Sequence, residues 1–152
     1  MAEFVSNPVQ LVQPNQNVLF DVSIPCNKGY VLHRAGAGII TLRGIVNNQC
    51  GCFARYQVTF NANIAVPTDG TVGAIAVALA IDGEPVQTSR AIVTPAAVDE
   101  YFNVTSTAII DVPRGCCYTV AVENVNAGVG GAIADQQTIS VADGNLTVAI
   151  VS

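Results

Sequence analysis

Charge is what this chain has least of. Asp, Glu, Lys and Arg make up 11% of its 152 residues, against about 25% in an ordinary soluble domain. Lysine occurs once, at Lys28, histidine once, at His33, and tryptophan not at all. The formal net charge is -5, and no basic cluster exists to neutralise phosphates, so nucleic acid is excluded as a partner. A single imidazole excludes jelly-roll metal sites built on several histidines, and leaves no Ser/His/Asp arrangement to defend. No cofactor is expected. His33, beside Arg34, reads as a loop or strand-edge residue.

Long apolar runs are also lacking. Val72 to Ile81 spans ten residues, far short of the roughly 20 that cross a bilayer as a helix, so no membrane insertion is expected. The first residues, MAEFVSNPVQLVQPNQNVLF, carry no basic stretch followed by an apolar core, so no secretion signal is read there. Synthesis in a cytoplasm follows as the expectation, with a virion or a spore surface as the final site.

Against these shortages, 51% of the residues are apolar. A domain this small has a poor ratio of volume to surface and cannot bury them all within itself. The surplus points to contacts between subunits. A neutral exterior rich in Thr, Asn and Gln would produce the same low charge without any interface.

The patterning is that of strands. Val, Ile and Thr are abundant, Leu is scarce, and side chains alternate with period two. Ile39 to Val46 alternates. In Cys52 to Phe60, one face holds Cys52, Ala54, Tyr56, Val58 and Phe60 and the other Phe53, Arg55, Gln57 and Thr59. Thr71 to Ile81 has a bulky face of Ile75, Val77, Leu79 and Ile81, and a small face of Ala74, Ala76, Ala78 and Ala80. The bulky face belongs in a core, and the alanine face is the candidate subunit contact. Asp82-Gly83 and Asp143-Gly144 read as hairpin turns. Pro85 to Ile92 reads as the returning strand. Phe102, Val104, Ala108 and Ile110 form an inward set, as do Tyr118, Val120 and Val122. Asn124 to Gly131 reads as a Gly/Asn loop, and Asn145 to Val151 as a strand. Together they predict an all-β jelly-roll sandwich of about ten antiparallel strands over residues 17–152. Residues 1–16, with Pro8 and Pro14, read as an extended arm that attaches to a neighbour or to a larger particle.

Chemistry is sparse. The acidic residues lie at turns and strand ends, where Asp69, Asp82, Glu84 and Asp143 could meet calcium, although no calcium loop of recognised spacing occurs. Cys26, Cys50, Cys52, Cys116 and Cys117 are the strongest local signal. Each group adjoins a turn, and loops at one end of a sandwich can gather them. Three readings stand: disulfides or interchain cross-links, buried thiols, or a metal or Fe–S site. The one-residue gap between Cys50 and Cys52 is tighter than zinc-knuckle spacing, and an odd count leaves one thiol over or linked between chains.

The runs GTVGAIAVALAIDGEPV, FARYQVTFNANIAVP and NLTVAIV resemble the C1q/tumour-necrosis-factor-like jelly roll. They are most similar to its bacterial versions, the heads of collagen-like spore-surface glycoproteins and small domains of phage structural proteins. The resemblance extends over roughly Asn17 to Val151. It implies ten strands in two sheets and a homotrimer, with Tyr56, Phe60, Tyr101, Phe102 and Tyr118 as core or axial residues. It implies binding through outer loops, or a rigid head on a fibre, rather than catalysis. No Gly-x-y repeat occurs within these 152 residues.

The function expected is therefore a non-enzymatic structural unit, a homotrimer on a phage particle or spore layer. The alternative is a receptor- or carbohydrate-binding head. That alternative requires an exposed aromatic beside polar groups on a loop, for which Tyr30 near Lys28 and Tyr101 near Asp99 are the candidates.

Overall fold

The computed structural model describes residues 2–6, 9–24, 29–46, 50–125 and 137–151. Among them are twelve strands: β1 (Ala2–Ser6), β2 (Gln10–Val12), β3 (Val22–Ile24), β4 (Val31–His33), β5 (Ile40–Arg43), β6 (Phe53–Ala65), β7 (Ile75–Ile81), β8 (Glu84–Pro85), β9 (Ala91–Val93), β10 (Phe102–Pro113), β11 (Cys117–Val125) and β12 (Ile139–Ile150). They form two six-stranded sheets. Sheet A runs β10-β6-β12-β1-β3, with β2 also on β12; sheet B runs β4-β5-β11-β7-β8, with β9 also on β7. Every pairing is antiparallel.

The core lies between the sheets where the alternation placed it, except that Phe102, read as inward, stands at the very start of β10 and is left exposed. Tyr56, Val58 and Phe60 of β6 are fully buried, as are Val77 and Leu79 of β7 and Val120 and Val122 of β11. Tyr56 could not sit there without a partner for its hydroxyl. The hydroxyl donates to Arg43 O at 2.5 Å, so one core side chain ties β6 of sheet A to β5 of sheet B. At the open edge the ring of His33 packs 4.8 Å from Phe4. Its Nε2 lies 2.8 Å from Ala37 O and its Nδ1 contacts Ser23 Oγ, so the one histidine joins β4 to β3.

Two identical dipeptides behave differently. At Asp82-Gly83 both residues adopt positive φ (51° and 86°) and the chain reverses from β7 into β8. That is the backbone a two-residue hairpin requires. At Asp143-Gly144 only Asp143 does so (φ 55°), and no hairpin forms. The strand continues through a bulge in which Asp143 and Gly144 together face one residue of β6. The bulge divides β12 between two partners, β2 before it and β1 after it.

Pro85 to Ile92 is likewise not one strand. It is β8, a 3-10 turn at Gln87–Ser89, and β9. The expected arm at residues 1–16 contains β1 and β2, which pair with β12 of the same chain, and Phe4 is 1% exposed. The proposed Gly/Asn loop falls mostly outside the described residues.

Candidate functional site

β6 ends, β10 begins and β12 begins at the same end of the sandwich, so the loops joining them cluster there. The loop entering β10 is pinned to the loop leaving β6. Asp99 N–H donates to Val66 O at 2.8 Å, and Thr68 Oγ1 donates to Asp99 Oδ2 at 2.7 Å. Asp99 holds φ 55°, a left-handed conformation that Asp tolerates better than most residues. Gln137, leading into β12, clamps Thr71 through both of its amide atoms, accepting from Thr71 N–H at 2.9 Å and donating to Thr71 O at 2.5 Å.

These braced loops carry a groove of about 460 Å³ walled by Leu11, Pro67, Asp69, Thr71 and Gln137. That volume lies within the roughly 300–1,000 Å³ usual for ligand sites. At the same end of the sandwich, Tyr101 and Phe102 follow Asp99 along the chain and are 42% and 39% exposed. An exposed aromatic thus follows, two residues on, the Asp99 carboxylate that Thr68 holds. The sequence reading chose Asp99 and Tyr101 but missed Thr68 and Gln137. The turn signal Pro67-Thr68-Asp69-Gly70 marked the loop; Gln137 had no local signal, because its role depends on a partner 66 positions away.

The other candidates separate. Tyr30 is 8% exposed and belongs to the core, so it is withdrawn as a ligand-binding aromatic. Lys28 and Cys26 lie outside the described residues. Tyr56 and Phe60 have no accessible surface, and Tyr118 is half-buried against the core. Of the inferred alanine interface, Ala74 is half-buried, while Ala76, Ala78 and Ala80 are at most 1% exposed within the single chain. They have almost no area to give a neighbour. The large exposed apolar residues lie elsewhere, with Leu11, Ile109 and Val9 at 66%, 65% and 60%.

The cysteines do gather at the opposite end. Arg114 N–H donates to Cys52 O at 3.0 Å, and Gly44 N–H to Cys116 O at 2.8 Å. Yet no disulfide joins any of the described cysteines, and Cys50, Cys52, Cys116 and Cys117 are all exposed. Among these four described cysteines, this corrects the expectation of disulfide staples and also that of buried thiols. The loops meet through backbone hydrogen bonds. Among the described residues no three His, Cys, Asp or Glu side chains form a metal-binding group, and no helix is long and apolar enough to cross a membrane.

The neutral exterior is concentrated on the outer face of sheet A. Thr59 and Thr107 pair at 2.7 Å, Thr105 donates to Asn61 at 3.0 Å, and Asn103 to Asn63 at 3.2 Å. The row ends at the bidentate pair Arg55–Asp111, whose hydrogen bond lowers the Asp111 pKa and raises that of Arg55.

No protein-family model and no curated protein matches the chain. Solved structures do. Eiger TNF from S. frugiperda superposes with a TM-score of 0.61 at 12% identity, covering 100% of this chain and 92% of that one. The globular domain of the zebrafish complement 1qA protein gives 0.57 at 16% identity, covering 96% and 94%. Murine APRIL at pH 5.0 gives 0.51 at 12% identity, covering 96% and 98%. The architecture is the C1q/TNF-like jelly-roll sandwich that the sequence resemblance implied.

Proposed function

We propose that this chain is a non-enzymatic head module, assembled as a homotrimer, that captures a receptor or a glycan with the loop end carrying Tyr101. The observation that supports the reading is Tyr101, exposed two residues after Asp99, whose carboxylate Thr68 holds in place at the loop end. Tyrosine offers a large, rigid contact area at low entropic cost, and such residues dominate binding hot spots. The trimer rests on the shared architecture and on the apolar surface left over in the single chain. The likeness is to the shape of a head unit, and the virion or spore-surface setting expected from sequence is no part of it.

Two measurements test the proposal on the full chain. Light scattering should give about three times the 15.7 kDa chain mass; a monomer at low micromolar concentration overturns the trimer. A glycan array and a receptor-ectodomain screen with the folded protein should give hits that a Tyr101→Ala chain loses. Hits of equal strength with that variant, or silence on both screens, overturn the loop-end assignment.

A further inference from the structure

Charge is segregated between the two ends of the sandwich. At the loop end, segments 67–72 and 94–102 carry Asp69, Asp99 and Glu100 and neither lysine nor arginine. At the opposite end, Arg43 closes β5 across from Cys117, and Arg114 stands in the turn between β10 and β11. Of the loop-end carboxyl groups, Asp69 lines the groove, and Asp99 is fixed by the Thr68 hydroxyl at 2.7 Å. Glu100, half-buried, follows Asp99 directly. Among the described residues no cationic side chain lines the groove to offset Asp69.

The apolar surface that accompanies this charge is of a kind cations favour. Asp99-Glu100-Tyr101-Phe102 is continuous in the chain, so two acidic side chains run directly into two exposed rings. The π face of tyrosine or phenylalanine attracts an ammonium or a guanidinium. Leu11 and Pro67 give the groove an apolar wall on which the methylene stem of a lysine or arginine can lie. Carboxyl groups, rings and wall together match a long side chain with a cationic head. An acidic partner would meet like charge. A neutral glycan would use the rings and leave the negative charge uncompensated.

We propose that the loop end docks a Lys/Arg-rich segment of a partner protein, its cationic heads meeting the carboxyl groups of Asp69, Asp99 and Glu100 and its stems lying on the exposed rings and the groove wall. The inference rests on the loop-end reading and narrows it, from a receptor or a glycan to a basic protein surface. Segregated charge also orients the encounter. The acidic end attracts such a segment and the arginine-bearing end repels it, so association is fast and weakens with salt.

Selection of displayed short random peptides on the full chain at neutral pH tests it. Enriched sequences should carry an excess of Lys and Arg. A synthetic copy of the leading peptide should bind at least about tenfold more weakly when salt rises from about 50 to about 300 mM. Asp69→Asn and Tyr101→Ala should each weaken that peptide at least about fivefold. Glu84→Gln, which removes an equal charge on β8 beyond the far end of β7, should leave its affinity unchanged. Asp69 and Glu84 are both exposed, and circular dichroism checks that the variants fold. Neutral or acidic peptides that are enriched and are lost in Tyr101→Ala overturn the cationic partner and leave the loop-end reading standing. Basic peptides that bind every variant as tightly as the parent, or that lose as much in Glu84→Gln as in Asp69→Asn, overturn the site, as does a library with no enrichment. Failure of the loop-end reading itself shows separately, in the Tyr101→Ala chain on the glycan and receptor screens.

Discussion

Ser89 takes the place of a strand for Leu79. The Leu79 amide donates to Ser89 Oγ at 3.0 Å, and the hydroxyl in turn donates to Val86 O at 2.7 Å. The Ser89 carbonyl accepts from Ser106 Oγ on β10, so the same residue also ties sheet B to sheet A. Removing the hydroxyl in Ser89→Ala leaves a buried N–H without its acceptor. The expected loss is about 1–3 kcal/mol of folding stability, read as a lowered urea midpoint with unchanged slope. A midpoint equal to that of the parent chain would show that another acceptor replaces it.

Gly44 is fixed by proximity to backbone. A Cβ placed there would lie 2.0 Å from Pro113 O, and a carbonyl in a turn cannot swing aside as a side-chain tip can. Gly44→Ala should cost at least about 2 kcal/mol by overpacking and part the two cysteine-bearing loops. Thermal melting checks the cost. Faster reaction of Cys52 and Cys116 with a thiol reagent would report the parting.

Glu123 sets a pH dependence whose sign can be worked out. Its folded pKa is raised above the ordinary 4.5, so the native state holds this proton more tightly than the unfolded state does. Such a group costs stability at pH above its raised value, and the cost fades as pH falls through that value toward 4.5. Glu123→Gln should therefore melt higher than the parent at about pH 7 and the same as the parent near about pH 3.5. Melts of both chains across that range decide it; a variant that melts lower at neutral pH would contradict the assignment.

Tyr101→Ala separates binding from folding. The ring is 42% exposed, so the melting temperature should hardly move, within about 0.5 kcal/mol. Affinity for whatever partner the screens identify should fall by about 2 kcal/mol, near thirtyfold. Circular dichroism and surface-immobilised binding on the same preparations give both readings.

What could be read along the chain depended on how local its cause is. The buried face of Ala54, Tyr56, Val58 and Phe60 follows from period-two alternation alone. The turn at Asp82-Gly83 was equally legible. The same dipeptide at 143–144 became a bulge because β6 pairs with both of its flanks, with β2 on the other edge before it and β1 after it, and no dipeptide encodes its neighbours. Pro85 to Ile92 looked continuous because a serine that substitutes for backbone leaves no mark in hydropathy. The alanine face of β7 was seen but assigned to the wrong covering, since small residues admit close approach by the chain itself as readily as by a second copy. At the candidate site, Asp99 and Tyr101 were chosen from their residue types. The hold of Gln137 on Thr71 came only with the fold.

The position of β12 constrains how this protein can be made. It lies between β6 and β1, so strands formed early in synthesis wait for residues 139–150 before sheet A can close. Until a ribosome has released that stretch, the inner edges of β1 and β6 stand open, each able to pair with a strand of another nascent chain. The bulge at Asp143 then acts as a register stop, since a strand that must change partners at one fixed point cannot slide by two residues and still fit. For a polysome crowded with identical chains, that favours self-closure over exchange.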